Sequence, residues 1–531
     1  MKREKHRSIS LRQIFAELPF AHSPEELPDL LVPGLAIDSR TVRPGDLFVA
    51  MRGGSADGHD FIPQAVAAGA AAVVVERDLP GLAVPYVKVE STRAALSWLA
   101  AAFHGWPGRA LRVIGVTGTD GKTTTTNLIH SILLAAGLRA GMISTVNAVI
   151  GDQQLDTGFH VTTPDAHDLQ HYLAVMVAAG LTHAVLETTS HGWSQHRVDA
   201  CEFDIGVITN ITHEHLDEHG TYENYRAAKA RLITGLETTA PKKQGNPRMA
   251  VLNRDDGSYD FLSRLARVRQ VSYGLGGEAD IWGEQIEYSP SGIRFIATDG
   301  SFRVAINSAL AGAYNVSNCL AALAAAIHGL GISPEIAARG IASLEGVPGR
   351  MERIDLGQSF TAIVDFAHTP NALKVTLQAA RQMTDGRLIA VFGSAGLRDR
   401  EKRRMMAETS AELADLSVLT AEDPRTESLA GILEEMAAGA RGRGGREGET
   451  FWRIADRGEA IRAAFRMARP GDIVLACGKG HEQSMCFGKI EYPWDDRIAM
   501  RAALAELLGG KGPNMPYLPS RDRAEEEWLR S

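Results

Sequence analysis

Residues 113–137 read VIGVTGTDGKTTTTNLIHSILLAAG: a short apolar run, a turn punctuated by Gly118 and Gly121, and a helical stretch closed by Gly137. An apolar strand that feeds directly into a helix reaches its next partner by a crossover, which favours a parallel sheet covered by helices. Further strand-like runs at HAVLET (183–188) and FDIGVITN (203–210), separated by helical stretches, extend the alternation. A second such unit follows VPGR at 347–350, with strands expected at TAIVDF, RLIAVFG, LSVLTA and DIVLACG. Ahead of both, LFVAM, AAVVVE and YVKVE mix β-rich runs with turns over residues 28–90. The fold class expected is therefore α/β in three domains, 1–107, 108–346 and 347–531. The central one carries a parallel sheet, the last is Rossmann-like and the first is smaller.

Composition narrows the function. Lys and Arg total 56 against 64 Asp and Glu, a formal net charge of -8, which argues against a general nucleic-acid binder. Four cysteines without a CxxC pair are too few for a disulfide scaffold and suit a reducing cytoplasm. The start, MKREKHRSISLRQIF, has no apolar core segment and does not read as a secretory signal. The uncharged stretch Leu310–Gly331 holds Asn315, Ser317, Asn318 and His328 and reads as a buried helix, so no membrane span is expected. Tyr517–Ser531 alternates charges and reads as an exposed helix or frayed tail.

Gly118-Thr119-Asp120-Gly121-Lys122-Thr123-Thr124 is the strongest local signal. Backbone N–H groups of such a turn can converge on phosphate oxygens, helped by the dipole of the following helix. Lys122 would reach the outer phosphates and the Thr123 hydroxyl would hold Mg²⁺. The loop is GxxGKT, shorter than GxxxxGK[ST], because Val116 stands where the first Gly of that motif belongs. Between 213 and 219, three histidines and three carboxylates crowd into seven residues. That cluster has three readings: a metallohydrolase HxHxDH site missed by one residue at Glu218, a hard-ligand Mg²⁺ site serving ATP, or a solvated polar loop. Glu187 closes the run AVLE at a strand's C-terminal edge, where α/β sheets bind ligands. Thr123, Glu187 and His215 would then share one rim; a lone Glu in that place is more often a solvated cap.

With these residues in view, the chain resembles the Mur ligases, ATP-dependent amide-forming enzymes of peptidoglycan precursor synthesis, and most of all those that add the third peptide residue. The resemblance covers roughly residues 31–497 and rests on ordered motifs: IDSRTVRPGDLFVAMRG, DGHDFI, GVTGTDGKTTT, VTTPD, LETTSHGWSQHRV, TNITHEHLDEHGTYENYRAAKARL, GAYNVSN, VPGRME, VDFAHTPNAL, FGSAGLRDREKR, EDPRTE and CGKGHEQ. It implies transfer of a γ-phosphoryl from ATP to the D-Glu γ-carboxylate of a UDP-muramoyl dipeptide, then attack of a diamino acid on the acyl phosphate. It also implies Mg²⁺ held by Thr123, Glu187, His215 and Lys229, the last as a carbamate; a helical Lys is ordinarily solvated.

By the same resemblance Asn315, Asn318, Arg350, Asp365 and His368 join the loop 118–124 in contacting ATP. Ser39, Thr162, Thr163, Thr189, Gln195 and Arg197 take the sugar-nucleotide side, where Arg197 can fork onto an anion. Arg398, Glu422, Asp423, Pro424, Arg425, Gly478 and Glu482 take the incoming amino acid. Small-molecule substrates and a monomer are expected. The chain departs from the family pattern at Asp423 (for Asn), Leu397 (for Asp), Val161 and Asn371. The retained arginines favour meso-diaminopimelate as acceptor, whereas the added negative charge favours lysine or ornithine. The DSR…PGDLF…DGHDF region argues against the related folate enzymes. A metallohydrolase using the HxHxD cluster is the distant alternative and would need no ATP.

Overall fold

The computed structural model describes residues 8–19, 27–53, 56–151, 153–155, 163–212, 220–289 and 291–520. Thr162, Val161 and the whole His213–His219 cluster, His215 included, lie outside them.

Three sheets organise the chain. Leu35–Ala36, Leu47–Val49, Ala72–Val75 and Tyr86–Lys88 form a small parallel sheet in chain order. The central sheet has 11 strands. Its parallel core runs Ala140–Ile143, His183–Glu187, Arg112–Thr117, Phe203–Ile208, Met249–Asn253, Arg269–Gly274, Ile281–Ser289. The third sheet runs Glu352–Ile354, Thr361–Asp365, Ile473–Cys477, Leu388–Phe392, Leu416–Leu419, Phe451–Arg453, parallel except at its first pair. The α/β reading thus stands, and each named strand run forms the strand expected of it.

The central sheet is mixed rather than wholly parallel. Ala148–Ile150 and Gln153–Leu155 add antiparallel strands at one edge, and Gly292–Thr298 and Arg303–Ser308 at the other. The latter edge escapes a sequence reading because its outer strand is largely solvated and neither strand carries a ligand-like motif. The tail also differs from expectation at its start. Leu518 is only 1% exposed, and Ser520 donates to Asp456, so residues 517–520 dock against the third unit.

Local rules explain the elements that matter. The helix Lys122–Ala135 starts after Gly121 at φ 79° and ends where Gly137 takes φ 72°, a left-handed stop that favours glycine. The helix Tyr314–Ala324 buries Val316, Cys319, Leu320 and Leu323 at helical spacing against the central sheet, as its Ala-rich composition suggests. All four cysteines are buried and unpaired with one another. No described helix is long and apolar enough to cross a membrane.

Under the central sheet lies a fully buried ion pair. Lys242 donates to Asp204 at 2.6 Å and to the carbonyls of Leu111 and Glu202, while Asp204 also accepts from the N–H of Val113 at 2.8 Å. Removing one partner of such a pair strands a charge without water, which costs about 3–5 kcal/mol. Lys242→Met is therefore expected to lower the unfolding free energy from urea titration by an amount in that range, with Lys242→Met/Asp204→Asn recovering part of it; an unchanged single-variant unfolding free energy contradicts this.

Candidate active site

Four adjacent parallel strands end on one rim, and each delivers a polar group at or just beyond its last residue. Arg112–Thr117 runs into the phosphate loop, His183–Glu187 ends on Glu187, Ala140–Ile143 leads to Thr145, and Phe203–Ile208 leads to Asn210. The loop is pinned by its neighbours. Thr119 N donates to the Asn210 carbonyl at 2.8 Å, Asp120 N to the Asn210 side chain at 2.9 Å, and Thr209 Oγ1 to the Asp120 carbonyl at 2.6 Å. Thr119 Oγ1 also sits 3.0 Å from the Tyr225 hydroxyl. Thr125 N reaches the Gly121 carbonyl at 2.9 Å, so the N–H groups of the first helical turn ahead of it remain for an outside acceptor.

Two glycines are obligatory here. A Cβ on Gly118 would fall 1.8 Å from Thr209 Oγ1, and one on Gly121 would fall 2.3 Å from Asn318 Oδ1. Asn318 in turn accepts from Thr125 Oγ1 at 3.4 Å and donates to Asn315, which donates to the Ala311 carbonyl at 2.7 Å. Asn315 and Asn318 thus stand together against the loop. Lys122 curls back to donate to the Thr119 carbonyl at 2.6 Å.

Glu187 is no solvated cap. It is 2% exposed and accepts from Thr123 Oγ1 at 3.0 Å, Thr145 Oγ1 at 2.8 Å and Thr145 N at 2.9 Å. Nothing in the sequence singles out Thr145; its role follows from the strand order, which sets Ala140–Ile143 beside His183–Glu187. Lys229 likewise departs from the solvated-helix expectation. It is 2% exposed, donates to the Gly118 carbonyl at 2.5 Å and stands 4.6 Å above the Tyr225 ring. A carboxylate and hydroxyls converging in a buried pocket are the hard oxygen donors that Mg²⁺ takes, so Thr123 and Glu187 fit that ion.

The third unit reaches this rim. Arg350 Nη2 donates to Thr123 Oγ1 at 3.3 Å, and its guanidinium lies 4.5 Å from the Phe366 ring. Asn371 Nδ2 lies 3.5 Å from Asp120 Oδ2. Asp365 is buried and accepts from Met351 N, Ala367 N and Thr376 Oγ1, so its carboxylate fixes the turn that carries Arg350. Burial pushes its carboxyl up, against the opposing pull of Arg350. His368 Nδ1 packs on the Phe366 carbonyl at 2.9 Å.

Thr163, Thr189, Gln195 and Arg197 form one cluster. Thr163 Oγ1 is 3.2 Å from Thr189 Oγ1, and Arg197 donates to the Thr163 carbonyl at 2.7 Å and to Gln195 at 2.6 Å. Ser39 lies apart, in the turn after the first sheet's strand Leu35–Ala36, donating to Gln64 at 3.0 Å.

In the third sheet, the strands Leu416–Leu419 and Ile473–Cys477 lead into Glu422–Arg425 and Gly478–Glu482. Glu422 is buried with Oε2 unpartnered among the described residues, and the site of a Cβ on Gly478 is 3.7 Å from that atom. Asp423 accepts from Lys479 Nζ at 3.0 Å and from Cys486 N at 2.9 Å, and Lys479 also bonds Glu482 at 2.5 Å. Asp423 and Arg425 take φ 40° and 53°, a strained turn around Pro424. Arg398 is exposed, beside Leu397, which is 59% exposed.

Comparison with known proteins matches this frame. Residues 32–104 fit the family model described as Mur ligase family, catalytic domain; 116–326 fit the Mur ligase middle domain; 349–480 fit the Mur ligase, glutamate ligase domain. The chain is 45% identical over 497 residues to the UDP-N-acetylmuramyl-tripeptide synthetase of Roseiflexus sp. (strain RS-1), covering 92% of this chain and 97% of that one. The chain belongs to the Mur ligase family. This Mur ligase is also 41% identical over 479 residues to the UDP-N-acetylmuramoyl-L-alanyl-D-glutamate–2,6-diaminopimelate ligase of Geobacillus thermodenitrificans (strain NG80-2), covering 90% and 96%. A solved structure of a diaminopimelate ligase of that name superposes with a TM-score of 0.65 at 31% identity, covering 94% of this chain and all of the other. As a Mur ligase the chain is an ATP-dependent, ADP-forming enzyme.

Burial, reinforced by Arg350, Arg497 and Lys479, pulls His481 down to about 3, so the imidazole stays neutral. The unfolded state therefore binds the extra proton between about pH 3 and 6.5, and native stability falls as pH drops through that window. Between pH 6.5 and 5 this one histidine is expected to cost about 2 kcal/mol. The His481→Gln variant should show a correspondingly shallower acid limb in denaturant midpoint against pH; parallel limbs contradict the assignment.

Proposed function

We propose that this ligase adds meso-diaminopimelate to the D-Glu γ-carboxylate of UDP-N-acetylmuramoyl-L-alanyl-D-glutamate, in peptidoglycan precursor synthesis. The observation that carries the reading is the joining of three parts at Thr123: the phosphate loop, the buried Glu187 and Arg350 from the third sheet. A carboxylate resists an amine because its oxygen is a poor leaving group; phosphorylation by ATP supplies a good one. The work left to the protein is to position the two substrates and offset charge.

Residues 118–124 take the triphosphate, with Lys122 released from the Thr119 carbonyl to meet the γ-phosphate. Thr123, Glu187 and Lys229 as its carbamate hold Mg²⁺, His215 completing the set by its place in the sequence motif. That ion, when bound, neutralises charge on the phosphates. A carbamate explains why a lysine is buried here, since CO₂ turns the amine into an anion. Asn315 and Asn318 with Arg350, Asp365 and His368 enclose the nucleotide between residues 108–346 and 347–531. Residues 1–107, with Ser39, hold the uridine nucleotide, and Thr162, Thr163, Thr189, Gln195 and Arg197 hold the muramoyl dipeptide.

The acceptor assignment follows from charge. Asp423 replaces the family's Asn, yet its carboxylate is taken up by buried Lys479 and the Cys486 N–H. It therefore adds no free anion, and Arg398 and Arg425 remain to meet a distal carboxylate, which diaminopimelate has and lysine lacks. Pro424, Gly478, Glu422 and Glu482 frame the amino end.

Incubating the protein with MgATP, the UDP-dipeptide and equal diaminopimelate, lysine and ornithine should give ADP and one tripeptide product, of diaminopimelate mass; a lysine product overturns the acceptor reading. Lys122→Ala should reduce ADP release at least ~10³-fold, the scale of losing a cation from a phosphoryl-transfer site, and wild-type release contradicts the phosphate grip. Lys229→Ala should be inactive and partly rescued by short carboxylic acids but not by bicarbonate; full activity removes the carbamate.

A further inference from the structure

The third sheet holds a buried cation that none of the motifs above includes. Arg457 opens the helix Arg457–Met467 and is completely buried, as is Asp496 at the start of the helix Asp496–Leu508. The pair is bidentate: Nε donates to Asp496 Oδ1 at 2.7 Å and Nη2 to Oδ2 at 2.6 Å. Asp496 is itself held by Trp494 Nε1 at 2.9 Å. Two of the three remaining guanidinium hydrogens go to main chain: Nη1 to the Ala421 carbonyl at 3.2 Å, Nη2 to the Cys477 carbonyl at 2.8 Å.

The Cys477 carbonyl ends one strand, and the Ala421 carbonyl lies two residues beyond another that is not its neighbour. Leu416–Leu419 and Ile473–Cys477 flank Leu388–Phe392 on either side, so no ladder hydrogen bond ties them. Arg457 spans the end of the intervening strand. Ala421 immediately precedes Glu422–Arg425, and Cys477 immediately precedes Gly478–Glu482. Both segments are therefore hung from one fork. A second tie, Lys479 to Asp423 at 3.0 Å, joins the same two segments further out.

Stability alone does not explain the arrangement. A buried ion pair is commonly no better for stability than an apolar pair of similar volume, because both charges lose their water. A planar fork with five fixed donors is instead suited to setting the relative position of several acceptors.

We propose that Arg457 is a positioning residue of the amino-acid site, holding the Glu422 and Gly478 strand ends in register across the strand between them. It touches no substrate and acts only through the two carbonyls. The inference rests on the assignment of these segments to the incoming diamino acid. Displacing them by an ångström misplaces the amine.

The test uses Arg457→Lys, which keeps the charge without the fork, and Arg457→Met/Asp496→Asn, which removes both charges and keeps an acceptor for Trp494. In each, KM for diaminopimelate is expected to rise roughly 30- to 100-fold, the scale of an ångström-level misplacement, with KM for the UDP-dipeptide within about twofold. Amide exchange should quicken about tenfold or more at 421–425 and 477–482 and stay unchanged at 361–365, the exchange of both segments reporting loss of one shared tie. An unchanged KM for diaminopimelate, or a fall in activity that merely follows the folded fraction, overturns the proposal. If the wild type forms no tripeptide at all, the functional reading fails separately; exchange then decides the tie, and unchanged exchange at both segments overturns it.

Discussion

Parallel strands that run side by side leave their carbonyl ends on one edge, and whatever polar groups follow them must find partners there. In the central sheet that edge gathers a glycine turn, Thr123, Thr145, Glu187 and Asn210 within hydrogen-bonding reach of one another. The glycines make this possible. Gly118 and Gly121 each occupy space that a Cβ would have to share with an oxygen of Thr209 or Asn318. Close backbone approach, and with it a cradle of unpaired N–H groups, exists because those two side chains are absent.

The third sheet supplies the opposite wall by the same logic. Its strand ends carry Asp365 and Phe366 on one strand, Gly393 to Ala395 on the next, Glu422 and Asp423 on another, and Gly478 to Glu482 between. Arg350, steadied by Asp365 through the Met351 N–H, crosses to Thr123. The rims of the central and third sheets thus meet at Thr123 and Asp120.

Much of this was legible in the sequence because the chemistry is local there. The turn 118–124, the strand-terminal Glu187 and the order of the strand runs could be read from a few contiguous residues. Glu187 and Lys229 were harder, since a lone Glu or Lys in such places is ordinarily solvated, and only tertiary packing buries them. Thr145, Arg457 and Lys479 were not found at all. Thr145 depends on which strands are neighbours, Arg457 bonds main-chain carbonyls that carry no sequence signature, and Lys479 gains meaning only beside Asp423. The antiparallel edge at 292–308 was missed for a related reason: its outer strand, Arg303–Ser308, is largely solvated, and neither strand carries a motif.

The central claim is that the γ-carboxylate is phosphorylated before the amine arrives, at the loop beginning with Gly118. Synthesis with the D-Glu γ-carboxylate labelled in both oxygens with ¹⁸O tests it most directly, followed by mass measurement of the released phosphate. One labelled oxygen in each phosphate for every amide formed is the expected result. Amide formation with unlabelled phosphate would contradict the account.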